Sequence, residues 1–334
     1  MSLPPPWSGS FGRPDTTAIT GLPLPGIFKN RFREKRWCYT GIVSPGLFFG
    51  AAIVHLGYIT SAFCFAFDRA GKTMAEKTVV RLPTGHTRYD RNPETGTCRF
   101  RARGNRIDIS GNLATGKSIS VDVDSGNTLL KARISLSACR DSIAPMHFPM
   151  DMGQGRNAFT TKAAGIPAKG SVRIGQRKIR LDPENSFALF DWTHGAYPRK
   201  TFWNWACGAG FARETTGGGT KEVVGFNLSR GVYENGTLEN TLWTGGRPEP
   251  VGTVVFEYDA ARPMAPWKIN SRDGKIRLVF SPEGMRRAND DFGIVASRFI
   301  QPCGRFEGEV TTADGRTFIL ENTGGVAEEH DARW

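Results

Sequence analysis

A short-period alternation limits what this chain can fold into. Arg106-Ile107-Asp108-Ile109-Ser110, Ser118-Ile119-Ser120-Val121-Asp122-Val123 and Leu130-Lys131-Ala132-Arg133-Ile134-Ser135-Leu136 each place an apolar residue at every second position. That period belongs to half-buried strands. Turn residues such as Gly104-Asn105 and Gly111-Asn112 separate them. The spacing of about ten residues is that of an antiparallel meander. The same texture returns later, in Val223–Leu228, Val254–Tyr258, Ile276–Phe280, Phe306–Val310 and Thr317–Leu320, with hairpin signals at Asp273-Gly274 and Asp314-Gly315. Composition agrees. The 334 residues include 40 glycines and 20 prolines. That is about 18%, against an average near ~12%. Such turn density excludes a coiled coil, a solenoid or a long-helix protein, while 22 Phe and 8 Trp supply a core. Helical periodicity is scarce, and Asp151–Ala164 and Pro282–Asn289 are the expected short helices. The expected fold is all-β, with two successive meanders forming two barrels or sandwiches.

The most apolar run, Thr40 to Phe67, contains Pro45, His55, Tyr58 and internal glycines. A membrane helix needs about 20 mainly apolar residues without such turn chemistry. The run therefore reads as a strand hairpin, Leu47–Gly57 and Tyr58–Asp68. Residues 1–30 are Pro- and Gly-rich and read as an arm. The body then divides into residues 31–200 and 201–334.

The formal charge is +12, from 44 Lys+Arg against 32 Asp+Glu. The basic stretches Lys29–Arg36 and Arg173–Arg180 lie beside apolar strand patterns and read as solvated flanks, so no nucleic-acid partner is expected. Peripheral attraction to an anionic membrane stays open. The six cysteines show no C-x-x-C pair, and the five histidines show no H-x-H or H-x-x-x-H spacing. No metal and no other cofactor is expected. The start, Met-Ser-Leu-Pro-Pro-Pro, lacks a basic-then-apolar signal segment, so a cytoplasmic location with reduced thiols is expected.

Chemistry concentrates between Phe190 and Gly208. This stretch holds Asp191, Trp192, His194, Tyr197, Arg199, Trp203 and Trp205. Indoles and phenols offer large apolar walls with one polar handle each. A carboxylate and an imidazole inside such walls acquire shifted proton affinities, which is how acid–base sites arise without a metal. Asp191 is the expected proton donor or acceptor, with His194 and Tyr197 as catalytic partners that orient it or share the proton. Trp192, Arg199, Trp203 and Trp205 are expected to line a pocket. A second cluster adds Asn227, Glu239, Asn240 and Trp243. His55 and Tyr58, on the first apolar hairpin, and His330, near Trp334, complete the candidate lining.

These clusters resemble the family known as domain of unknown function 2804. The likeness is carried by Lys35-Arg36-Trp37 with the apolar hairpin to Tyr58, by Asp191-Trp192-Thr193-His194-Gly195 and by Trp203-Asn204-Trp205. It is also carried by Gly225-Phe226-Asn227-Leu228, Glu239-Asn240 and the Glu-x-His-x-x-x-Trp-like stretch up to Trp334. Through the Asp-x-x-x-Gly pattern of Asp191 to Gly195, the chain is more remotely similar to the tandem-lipocalin group. That group includes hydroxyneurosporene synthase (a carotenoid hydratase) and fungal pericyclases. The hydratase-like pattern has a His beside its Asp where this chain has Phe190. The resemblance implies two lipocalin-like antiparallel β-barrels packed side by side, residues 31–200 and 201–334, with a cavity in or between them. It implies a lyase, hydratase or isomerase acting without cofactor on a hydrophobic small molecule. A lipid, terpenoid or pigment carrier is the alternative. The oligomeric state is not implied.

Overall fold

The computed structural model describes residues 33–334 except 84, 127, 140–142, 154–155, 216–218, 233–237 and 292–295. The N-terminal arm, residues 1–30, and most of the Gly-rich tip at 216–219 lie outside the described residues. Among the described residues the strands form two curled antiparallel sheets, one of 13 strands and one of 9.

The first sheet contains β1 (Glu34–Ser44), β2 (Leu47–His55), β3 (Thr60–Asp68), β4 (Thr73–Arg81), β5 (Thr87–Tyr89), β6 (Cys98–Ala102) and β7 (Asn105–Asn112). It continues with β8 (Gly116–Asp124), β9 (Leu129–Leu136), β10 (Met146–Asp151), β11 (Asn157–Ile174), β12 (Arg177–Leu181) and β13 (Phe187–Ala196). Its order is β4-β3-β2-β1-β13-β11-β9-β8-β7-β6-β5, with β10 and β12 also pairing with β11. The second sheet contains β14 (Lys200–Glu214), β15 (Lys221–Arg230), β16 (Thr241–Thr244), β17 (Arg247–Pro250) and β18 (Val254–Glu257). It ends with β19 (Trp267–Ser271), β20 (Ile276–Asp291), β21 (Ala296–Thr311) and β22 (Thr317–Arg333), in the order β17-β16-β15-β14-β22-β21-β20-β19-β18. The apolar hairpin of the sequence is β2 and β3, paired from Leu47↔Asp68 to His55↔Thr60.

Both segments expected as helices are strands. Asp151–Ala164 contributes the end of β10 and the start of β11, and Pro282–Asn289 lies inside β20. β11 is buried continuously from Ala158 to Ile166 because β14 and β15 of the second sheet pack against it while its other face joins the core of the first sheet, so no alternation marks it as a strand. Gly165 (φ +113°) accommodates a register shift between Ala164 and Ile166. Pro282 is tolerated in β20 because the ladder with β21 shifts register between Pro282 and Gly284.

One core cluster fills the first sheet and the contact between the sheets, drawing in Trp205, Cys207, Trp243 and Val326. A second fills the curl of the second sheet around Phe226, Trp267, Leu278, Phe280 and Phe306. The six cysteines are buried and unbridged. Among the described residues, no helix is long and apolar enough to cross a membrane. The sheets meet closely where β15 crosses β11. A Cβ added at Gly225 would sit 1.9 Å from the Ala164 carbonyl oxygen. Gly225→Ala should therefore destabilise the protein by about 1–3 kcal/mol, since backbone must move to admit the methyl. Urea denaturation measures this, and an unchanged midpoint would contradict the close approach.

Candidate active site between the sheets

The register of the strands builds the site. On the first sheet, cross-strand neighbours run Thr78, Phe63, Ala52, Tyr39, Asp191, Lys162 across β4, β3, β2, β1, β13 and β11. The next row on the same face runs Val80, Ser61, Val54, Trp37, Thr193, Thr160. On the second sheet, Ala288, Phe299, His330 and Trp203 form one row across β20, β21, β22 and β14. Arg286 opposes Gln301, while Glu328, Trp205 and Ser229 form a neighbouring row. Side chains two residues apart share a face. The two sheets turn these faces toward each other and enclose a cavity of about 570 Å³. Its walls are mostly apolar, as in small-molecule sites at domain junctions. Trp37 and Trp203 stack across it, 6.4 Å apart at 13°.

Two carboxylate-bearing groups stand in the largely apolar wall. The first is an ion cluster. Lys162 Nζ lies 3.4 Å from Asp191 Oδ2 and 3.0 Å from Glu239 Oε1, with all three residues buried. Asp191 also accepts from Trp37 Nε1 (3.2 Å) and Thr193 Oγ1 (3.1 Å), and Thr160 Oγ1 stands 2.8 Å from the Thr193 hydroxyl behind it. Burial opposes the Lys162 charge, yet Asp191 and Glu239 beside it hold the ammonium above its ordinary value. Burial pushes Glu239 up, against the pull of Lys162.

The second group is Glu328 on β22. Trp203 Nε1 donates to its Oε1 at 2.7 Å and Gln301 Nε2 to its Oε2 at 2.8 Å. Burial nevertheless pushes this carboxyl up to about 7, and the Asp191 charge adds to the effect. Burial pushes His330 down to about 3, helped by the Arg286 charge, so its ring is neutral. His330 bonds Ser297 Oγ through Nε2 at 2.8 Å and packs on Trp203 with ring centres 4.2 Å apart. Arg286 lies between Phe63 (3.7 Å) and Phe299 (4.9 Å) and reaches Glu76 Oε2 at 3.3 Å.

Of the residues singled out in the sequence, Asp191, Trp203, Trp205, Glu239 and His330 come together on the cavity wall. Asn227 stands behind that wall, accepting from Trp205 Nε1 at 2.7 Å and donating to the Glu239 carbonyl at 3.0 Å. Arg199 holds Trp334, itself on the wall, by donating to its carbonyl oxygen and accepting from its amide. His194 does not meet Asp191. Residues three apart on a strand face opposite ways, and His194 pairs instead with Glu34 Oε1 at 2.6 Å. Trp192 shares that opposite face and stacks on Tyr89, 5.6 Å away, in the core of the first sheet. Tyr197 packs behind Trp37 at 5.3 Å. Asn240 fixes backbone, accepting from the Ser229 amide and donating to the Gly252 carbonyl. Trp243 donates to the Ala144 carbonyl at 2.8 Å. His55 accepts from the Gly57 amide, and Tyr58 lies under Lys35 Nζ at 4.8 Å. These residues shape the surroundings of the cavity and are not among the side chains that line it.

Sequence reasoning did not name Trp37, Tyr39, Lys162, Arg286, Gln301 or Glu328 as site residues, although Trp37 and Glu328 stand in motifs that carry the family resemblance. A lone lysine within the apolar stretch Ala158–Ala168 was the available signal for Lys162. A carboxylate after Val326-Ala327 was the signal for Glu328. Among the described residues, no group of three or more His, Cys, Asp or Glu side chains is placed to hold a metal ion.

Two curled antiparallel sheets stand side by side with a ligand-sized cavity between them, a fold like that of tandem lipocalins. The chain belongs to the family described as domain of unknown function DUF2804, whose model matches residues 16–334. Solved structures share the fold. A candidate AttH of Nitrosomonas europaea superposes with a TM-score of 0.52 at 12% identity, covering 98% of this chain and 99% of its own. Kievitone hydratase of Nectria haematococca gives a TM-score of 0.51 at 11% identity, covering 94% of each chain. No curated protein matches the chain in sequence.

Proposed function

We propose that the protein is a lyase or isomerase of the hydratase kind. It works without a cofactor, by acid–base catalysis, on a hydrophobic small molecule (aromatic, terpenoid or lipid) held between the sheets. The observation that carries this reading is Glu328, a carboxyl raised to about 7 on the wall of an apolar cavity. A general acid works best when its pKa lies near the operating pH. In a hydration, the Glu328 proton would add to one alkene carbon and water oxygen to the other. Asp191 would take the proton that the water loses. Positive charge developing between them would face the rings of Trp37, Trp203 and Trp205, which stabilise cations through their π faces. The likeness of fold to a protein named as a hydratase supports the reading.

Mass spectrometry of small molecules extracted from the purified protein tests it. The expected find is an apolar molecule with an alkene or a hydroxyl group. Asp191→Asn should keep that molecule bound and lower its conversion by about 10²-fold or more. Near-normal conversion would end the role given to Asp191. Binding without conversion by the wild type would favour a carrier.

A further inference from the structure

We propose that Glu328, His330 and Ser297 form a proton relay that recharges the buried carboxyl from the mouth of the cavity. The proposal rests on the reading of Glu328 as the acid. Once Glu328 has given its proton away, another must arrive, and its immediate partners cannot supply one. The indole N–H of Trp203 and the amide of Gln301 occupy its two oxygens, and neither group ionises in this range. The other ionisable groups facing it are Asp191, Arg286, Tyr39 and His330. Asp191 is held by Lys162, Arg286 keeps its charge, and burial pushes the Tyr39 hydroxyl well above its ordinary value.

His330 remains. Its Nδ1 stands 3.9 Å from Glu328 Oε1, and its Nε2 is already bonded to Ser297 Oγ at 2.8 Å. Catalytic hydrogen bonds in ligand-free structures are often longer than in the working complex, and the relay requires a small shift of the Glu328 carboxyl toward the ring. The ring is held in register by Trp203, Phe299 and Trp334. A neutral imidazole is donor at one nitrogen and acceptor at the other, so it can pass a proton without storing one. Nδ1–H gives its proton to Oε1 as Nε2 takes the hydroxyl proton of Ser297. Ser297, half-buried near the start of β21, takes a proton from a solvent hydronium ion in turn, which leaves as water. One proton moves from solvent to carboxylate, and nothing is oxidised or reduced.

Infrared difference spectroscopy on the full-length protein tests the relay. The C=O band lost in Glu328→Gln identifies the protonated carboxyl, and transfer into D2O shifts that band as its proton exchanges. His330→Phe, which keeps a ring against Trp203, should slow the exchange by about tenfold or more. Ser297→Ala should do the same, and Ser297→Thr should restore the wild-type rate. Wild-type exchange in both His330→Phe and Ser297→Ala would overturn the relay and leave the acid standing. Should His330→Phe fail to fold, the two Ser297 variants decide. Absence of the band in the wild type below about pH 7 would overturn the relay together with the acid beneath it.

Discussion

Glu328→Gln should lower conversion of the cavity's substrate by about 10²–10³-fold while the fold persists. Glutamine has the same shape, and its carbonyl can still accept from Trp203, but it has no proton to give. The wild-type pH profile has a definite sign. The acid form of a carboxyl raised to about 7 exists below that pH. Activity should therefore fall as pH rises through 7, by about tenfold per unit at the limit. Stability follows the same group. Its folded value lies above the unfolded 4.5, so its contribution is complete below pH 4.5 and is lost as pH climbs through 7. The loss amounts to roughly 3 kcal/mol for a shift of this size. Urea denaturation of the wild type against Glu328→Gln isolates that loss, because the other carboxyls are common to both. Parallel stability curves for the two proteins between these pH values would contradict a raised Glu328.

Lys162→Met should destabilise the protein by about 3–5 kcal/mol, because it leaves Asp191 and Glu239 buried without their shared cation. The position is unusual in that the lysine and Asp191 come from the first sheet and Glu239 from the second half of the chain. The ion cluster therefore ties the two halves together at the cavity. A double variant, Lys162→Met with Glu239→Gln, should lose less than the sum of the single losses, since it removes one of the two stranded carboxylates along with the cation. Chemical denaturation of the single and double variants checks this. A loss under about 1 kcal/mol in Lys162→Met would mean the carboxylates are not dependent on it.

The strands were legible where one face is solvated. β8 and β9 alternate in sequence because they alternate in burial, while in β7 Asp108 is buried between Ile107 and Ile109 under Arg99 and Arg106. β11 and β20 misled for opposite reasons. One is buried on both faces and shows no period, and the other carries a proline that a bulge accommodates. The site was half legible. Aromatic crowding drew attention to Asp191, Trp203 and Trp205, which the structure places on the cavity wall. The same crowding suggested that His194 joins Asp191, but a period of two sends it to the other face. Lys162, Arg286 and Glu328 could not be grouped from sequence. They stand on β11, β20 and β22, and only the strand order of two sheets brings them to one cavity.

Untargeted mass spectrometry of an apolar cell extract incubated in D2O with the wild type or with Glu328→Gln tests the catalytic role of Glu328. At least one apolar compound should gain or lose a water, or acquire deuterium on carbon, with the wild type and not with the variant. Identical spectra for the two proteins, or a change that Glu328→Gln supports as well, would contradict that role.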